Sequence, residues 1–280
     1  MNAILKTCTL IGLVAGAFAW GIFFPAMVQS QDYHLFADTR AVLAIENAAD
    51  TVSNLAFLVV GGLGLALLWR ERAAGGTGRF VAPEEMRPYW VFFAGVTLTG
   101  AGSAYYHLVP DDARLVWDRV PMTIAFMSLV AALAAERISV RAGNLLLVPL
   151  VLLGIASVAY WRWSALAGME NLRPYMAVQF GSIAVVLAIA LLYRSRYTHG
   201  AAIFAVAAAY GAAKVLESFD YEIFALGRLA SGHTLKHVAA AGGVWLLLRS
   251  LEQRKLRGAK ATSDACPPPA SPCRSSARWC

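Results

Sequence analysis

The sequence predicts an all-α polytopic membrane protein, a bundle of seven transmembrane helices preceded by an N-terminal hydrophobic segment. Three observations carry this. Hydrophobic residues fill 59% of the 280 positions, against about 45–50% in soluble domains. Charged residues supply only 15% where about 25% is usual, and the mean hydropathy is +0.57. The apolar residues fall in runs close to the ~20 needed to span a bilayer, joined by short polar connectors. A chain so poor in polar atoms cannot clothe itself against water. A soluble enzyme, a nucleic-acid binder and a disulfide scaffold are therefore excluded.

In chain order the runs are 7–24, 50–69, 89–108, 119–136, 143–161, 175–193, 199–216 and 231–249. The first follows Lys6 and ends near Ala26–Ser30, so residues 1–30 read as either a cleaved signal peptide or an additional helix. The remaining seven form the core domain, residues 31–250. From about 258 to 280 the chain turns to Ala, Lys, Ser and Pro, with the triplet Pro267-Pro268-Pro269, a composition that cannot bury a core and predicts a disordered tail. Three of the four cysteines, Cys266, Cys273 and Cys280, lie in that tail and Cys8 lies in the first run. No CxxC pair or disulfide framework results.

The net charge of +7 is sorted by connector rather than gathered with aromatics on one motif, so it reads as topology and implies no nucleic-acid partner. Alternate connectors carry Arg70, Arg72, Arg79 and Arg87, then Arg137 and Arg141, then Arg194 and Arg196, and finally Arg249, Arg254, Lys255, Arg257 and Lys260. By the positive-inside rule that side is cytoplasmic, tail included. The opposite connectors hold Asp32, Asp38, Glu46, Asp111, Asp112, Glu217, Asp220 and Glu222, and this side faces the periplasm or a lumen.

Ionisable groups inside a spanning helix cost roughly 2.5–3.5 kcal/mol on insertion scales and mark function by default. His233 and His237 stand four apart in Ser231-Gly-His-Thr-Leu-Lys-His237, which puts both imidazoles on one helix face as a shared metal requires. Two histidines hydrogen-bonded in the headgroup zone would show the same spacing. His107 ends the second core helix at the same outer depth, Ser103 is one turn before it, and Asp118 heads the third core helix. Ser103 beside Gly100 and Gly102 is also what close helix packing uses, and Asp118 is also what an N-cap uses. Convergence of all five groups at one depth favours an open three-histidine zinc site with Asp118 as proton acceptor. Position 234 is Thr, so this is not the HExxH arrangement of soluble metalloproteases.

The combination of Thr51-Val-Ser53-Asn54-Leu, Gly100-x-Gly-Ser103-x-x-x-His107, Asp118 followed by Pro121-Met122, and His233-x-x-x-His237 resembles the alkaline ceramidase family. That family sits in a superfamily of seven-helix zinc membrane hydrolases that also contains the adiponectin and progestin receptors. The segment Phe36-Ala-Asp38-Thr-Arg40 through Leu55 is similar to bacterial members, and the likeness spans about residues 32 to 249. It implies zinc held by His107, His233 and His237, with Ser103 and Asp118 as the catalytic Ser and Asp. It further implies cleavage of a ceramide, or a similar lipid amide partner drawn from the membrane lipids, into a sphingoid base and a fatty acid. Animal members also bind calcium before the first core helix. Here Asn47 stands where their Glu would be, with Glu46 one residue earlier and Asp32-Tyr33 in place of an Asp-Trp, so no calcium ligands are assigned.

Three other readings of the same residues stay open at this stage. Ser103, His107 and Asp118 form a metal-free serine hydrolase set, although the GxSxG elbow is missing. The bundle is alternatively a receptor-like protein with a structural zinc, since fold does not fix function. A bis-histidine haem is disfavoured because HxxxH offers both ligands to the same side of a metal.

Overall fold

A computed structural model describes residues 3–75 and 78–257. The predicted tail, residues 258–280, lies outside the described residues. The helices are α1 (Ala3–Phe23), α2 (Ala48–Ser53), α3 (Leu55–Ala73), α4 (Met86–Leu108), α5 (Asp112–Arg137), α6 (Val140–Leu166), α7 (Arg173–Leu192), α8 (Ala202–Ser218), α9 (Asp220–Gly227) and α10 (Gly232–Gln253), with no β-strand among the described residues. The protein is an all-α polytopic bundle. Five spans, those of α1, α2–α3, α5, α6 and α7, are long and apolar enough to cross a membrane, and α8 with α9 adds a sixth if the bent pair is one span. α4 and α10 have 23 and 22 residues, which at 1.5 Å per residue is also bilayer length. They fall short on apolarity, and they are the helices that carry the histidines.

α5 is the centre. It lies against α4, α6 and α7, and 78% of its apolar window is buried. Small residues make this close packing possible, as is usual between helices in lipid. A Cβ on Gly143 of α6 would meet the Ala131 carbonyl of α5 at 2.5 Å, and one on Gly95 of α4 would meet the Ala125 nitrogen at 2.9 Å. The outward surfaces are apolar instead of polar: Val59, Leu63, Leu98, Leu145, Val148, Leu152 and Leu191 are exposed, as a lipid-facing surface demands.

α1 lies outside this core against α7, and only 6% of its window is buried. Its contact is a seam of small residues: a Cβ on Gly21 would sit 3.4 Å from that of Ala177, and one on Gly181 would sit 3.2 Å from that of Ala17. The two helices run antiparallel, Lys6 lying over the Tyr193 ring at 5.0 Å and Arg173 reaching the carbonyls of Trp20 and Ile22.

The basic end of the bundle is tied together by buried polar bonds. Arg254 is stacked between Phe80 and Tyr197 and reaches Glu136 at 3.1 Å, while Arg137 donates to the carbonyls of Ala190 and Tyr193. Glu85 is buried here, and burial pushes its carboxyl up from the ordinary range.

One sequence expectation is corrected at the other end. α5 begins at Asp112, seven residues before the predicted run, because Asp111 takes the N-cap position and accepts from the Arg114 amide at 2.7 Å. Asp118 is thus interior to the helix and is not its cap. The first residue of α5, Asp112, accepts from His34 at 3.1 Å. The run predicted over 199–216 is α8, and beyond it the chain turns by 73° into α9 around Phe219, whose φ and ψ of −108° and 32° leave the helical range.

Candidate metal centre

Each histidine is placed by local structure that the sequence explains. In α10, Ser231 is the N-cap and accepts from the Thr234 amide at 3.0 Å, so the helix starts one turn before His237. Gly232 is obligatory there, because a Cβ would meet the Leu216 carbonyl at 2.1 Å and Asp220 Cα at 2.8 Å. The bend between α8 and α9 brings Asp220 to this point, and its two carboxylate oxygens accept from the His233 amide at 2.7 Å and the Ala37 amide at 2.9 Å. In α4, Gly100 lies against Leu58 and the Asn54 carbonyl of the α2–α3 span, and a Cβ on Gly102 would meet the Trp117 carbonyl of α5 at 2.0 Å. Both glycines let backbones touch on either side of Ser103. Asn47, at φ 46°, directs its side-chain amide to the His107 carbonyl at 2.8 Å and so fixes the end of α4.

The result is a compact imidazole cluster. His107, His233 and His237 are all buried, and one ring nitrogen from each lies within 4.8 Å of the others. The three ring centroids are 4.8, 5.0 and 5.1 Å apart. His107 Nε2 and His233 Nε2 face each other at 3.4 Å. A tetrahedral metal with nitrogen ligands at about 2.0–2.1 Å would separate them by about 3.3–3.4 Å. His237 Nδ1 lies 2.7 Å from Ser53 Oγ, which leaves its Nε2 for an ion. The residues therefore fit a metal with three imidazole ligands, zinc included. None of the described thiols joins them, so a fourth position stays open for water or substrate.

No family model, curated protein or solved structure matches this chain.

Of the five residues singled out from sequence, the three histidines form the cluster, and His237 shares a cavity with Ser103 and Asp118. That cavity is about 360 Å³, and His107 and His233 are not part of its lining. Away from these groups the cavity is walled by Phe92, Val96, Leu129, Ile183, Val186 and Val206.

Several neighbours complete the surroundings of the cluster. Phe36 covers the cluster, its ring 4.8 Å from that of His107 and 4.5 Å from that of His233. The turn after it is clipped by Arg40, which donates to Asp38 at 2.7 Å and to the Leu229 carbonyl at 3.2 Å. That guanidinium holds the Asp38 carboxyl below its ordinary range. Asp50 is buried in α2 and accepts from Ser231 at 3.2 Å and from Thr234, anchoring α10 beside its second ligand. Lys214 and Lys236 both pair with Glu217 at the cavity wall.

Ser53 tests the second layer around the metal. Outer partners of ligating histidines commonly change metal affinity 10–100-fold, because they fix the ring and its tautomer. Ser53→Ala is therefore expected to weaken zinc binding within that range, measured by competition with a chromogenic chelator. Unchanged affinity would mean that His237 is held by packing alone.

Proposed function

We propose that the chain is a zinc-dependent membrane hydrolase that cleaves the amide bond of an N-acyl lipid, ceramide or a similar compound, to a free fatty acid and an amine. The observation that carries this reading is the meeting of three buried imidazoles with Ser103 and Asp118 at the polar end of an apolar cavity. His107, His233 and His237 would hold the ion. Zinc so bound lowers the pKa of a water toward 7 and polarises a carbonyl.

The remaining work falls to the chain. The apolar walls take up an acyl chain without loss of the contacts it had in lipid. Asp118 accepts the proton of the attacking water at its carboxylate and returns it to the leaving nitrogen. As the acyl carbon gains hydroxyl, its bond to nitrogen breaks, and nitrogen leaves carrying hydrogen. The Ser103 hydroxyl donates to the carbonyl oxygen as negative charge develops there. With the basic end on the cytoplasmic side, the site opens toward the periplasmic or luminal half of the membrane.

A metal-free Ser103/His107/Asp118 mechanism has less support. His107 Nε2 is directed at His233 and its Nδ1 has no partner, so neither nitrogen stands ready to take the serine proton. The test is release of fatty acid from N-acyl lipids in mixed micelles by the purified chain. Hydrolysis is expected to stop with a chelator and return with zinc. Chelator-insensitive hydrolysis would favour the serine mechanism, and bound zinc without turnover would leave a receptor-like protein with a structural metal.

A further inference from the structure

Arg119 follows Asp118 in α5 and borders the same cavity. It is nearly inaccessible, at 3% exposure. Its guanidinium lies among aromatic faces, 4.3 Å from the Trp161 ring, 4.6 Å from Tyr175 and 5.6 Å from Tyr33. One nitrogen, Nη2, donates to the Gln29 side chain. The other, Nη1, is buried with no hydrogen-bond partner among the described residues.

The contrast with the other cations is informative. Arg137 and Arg254 at the basic end both reach Glu136, and Lys214 and Lys236 at the cavity share Glu217. Arg119 is the one cation at the cavity for which no carboxylate lies in contact among the described residues. Burying an uncompensated charge is costly, and aromatic faces offset only part of that. A guanidinium with a free N–H edge is the group best shaped to grip a carboxylate.

Resting on the hydrolase reading above, we infer that Arg119 is a specificity-determining residue that binds a carboxylate on the amine half of the substrate, so that the substrate class is N-acyl amino acids. The placement follows from the geometry. Arg119 lines the same cavity as Asp118, Ser103 and His237, so one substrate can meet the guanidinium with its carboxylate and the other three groups with its amide. The acyl half takes the apolar part of the cavity between Val96, Ile183 and Val206. Around the cavity Arg119, Lys214 and Lys236 face Glu217 and Asp118, so with both acids ionised one positive charge is left over, which one carboxylate balances and the −1.5 to −2 of a phosphate monoester exceeds. Water adds across the amide, the C–N bond breaks, and a fatty acid and a free amino acid leave.

The experiment compares N-oleoylglycine, N-oleoylethanolamine and N-oleoylphosphoethanolamine on the purified full chain, measuring both kcat/KM and the dissociation constant. Wild type is expected to favour N-oleoylglycine over N-oleoylethanolamine roughly ten- to a hundredfold, the range of a charge-assisted buried bond. In Arg119→Gln that ratio is expected to fall to about one, with Arg119→Lys between. No preference in wild type, a ratio unchanged in Arg119→Gln, or a preference for the phosphate compound would overturn the inference. If no amide is hydrolysed, binding decides: tighter binding of N-oleoylglycine that is lost in Arg119→Gln keeps the subsite and removes the hydrolase reading. Equal binding of the three removes the subsite. Should the Gln variant fail to fold, the wild-type comparison and the Lys variant give the answer.

Discussion

His237→Ala is expected to reduce bound zinc from about one per chain to less than about one tenth, and to lower amide hydrolysis by at least ~10³-fold, the largest effect foreseen for any single substitution. Removing one of three imidazoles leaves two protein ligands, too few for the open tetrahedral site that three ligands and a water make. His237 is also the only one of the three that lines the cavity, so its loss alters both the ion's affinity and the surface that substrate meets. The fold should survive, because Ser231, Thr234 and Asp220 fix the start of α10 independently of this ring. Metal analysis of the purified variant, with a thermal melt as control, decides it. Retention of stoichiometric zinc with full turnover would remove the metal centre from the mechanism.

Asp118→Asn is expected to behave differently: zinc stays, KM changes little, and kcat falls by about 10²–10⁴-fold, the usual size of a positioned proton transfer. The amide is nearly isosteric with the carboxylate, but it cannot take a proton from water at neutral pH. Asp118 is not a zinc ligand in the cluster of three imidazoles, which is why metal content separates the two variants. A kcat within a factor of two of wild type would show that another group carries the proton, and Glu217, which shares the cavity wall, would be next to test.

Much of this site was legible before any coordinates because a membrane-spanning helix tolerates few polar groups. His233 and His237 on one helix face and Ser103 one turn before His107 stand out against apolar neighbours, and the fold class follows from composition alone. Most of what stayed hidden depends on which distant segments touch. Ser53 was part of a quoted motif, but its bond to His237 spans 184 positions. Asn47 was read as the residue in place of a calcium ligand, and it proves to hold the end of α4. Phe36 comes from a connector with no periodicity to read, and Asp220 reaches His233 only because α8 and α9 bend. The start of α5 was misplaced because Asp111, Asp112 and Arg114 look like connector in a hydropathy profile, although Asp111 is a good cap. Arg119 was visible only as a basic residue beside Asp118, since nothing local reveals that no carboxylate faces it.

α4 and α10 share almost no backbone contact; α10 lies instead against α8, α3 and α2. The three imidazoles thus come from two segments that meet at little besides the cluster itself. In order of synthesis, His107 is made before the midpoint of the chain, and the HxxxH pair arrives only with the last described helix. Translation therefore completes most of the bundle before a binding site for the ion exists. A chain that stopped short of α10 would keep the helices that wall the centre on the α4 side and hold a single imidazole, so the integrity of the carboxyl-terminal fifth of the protein governs whether any of it can take up metal.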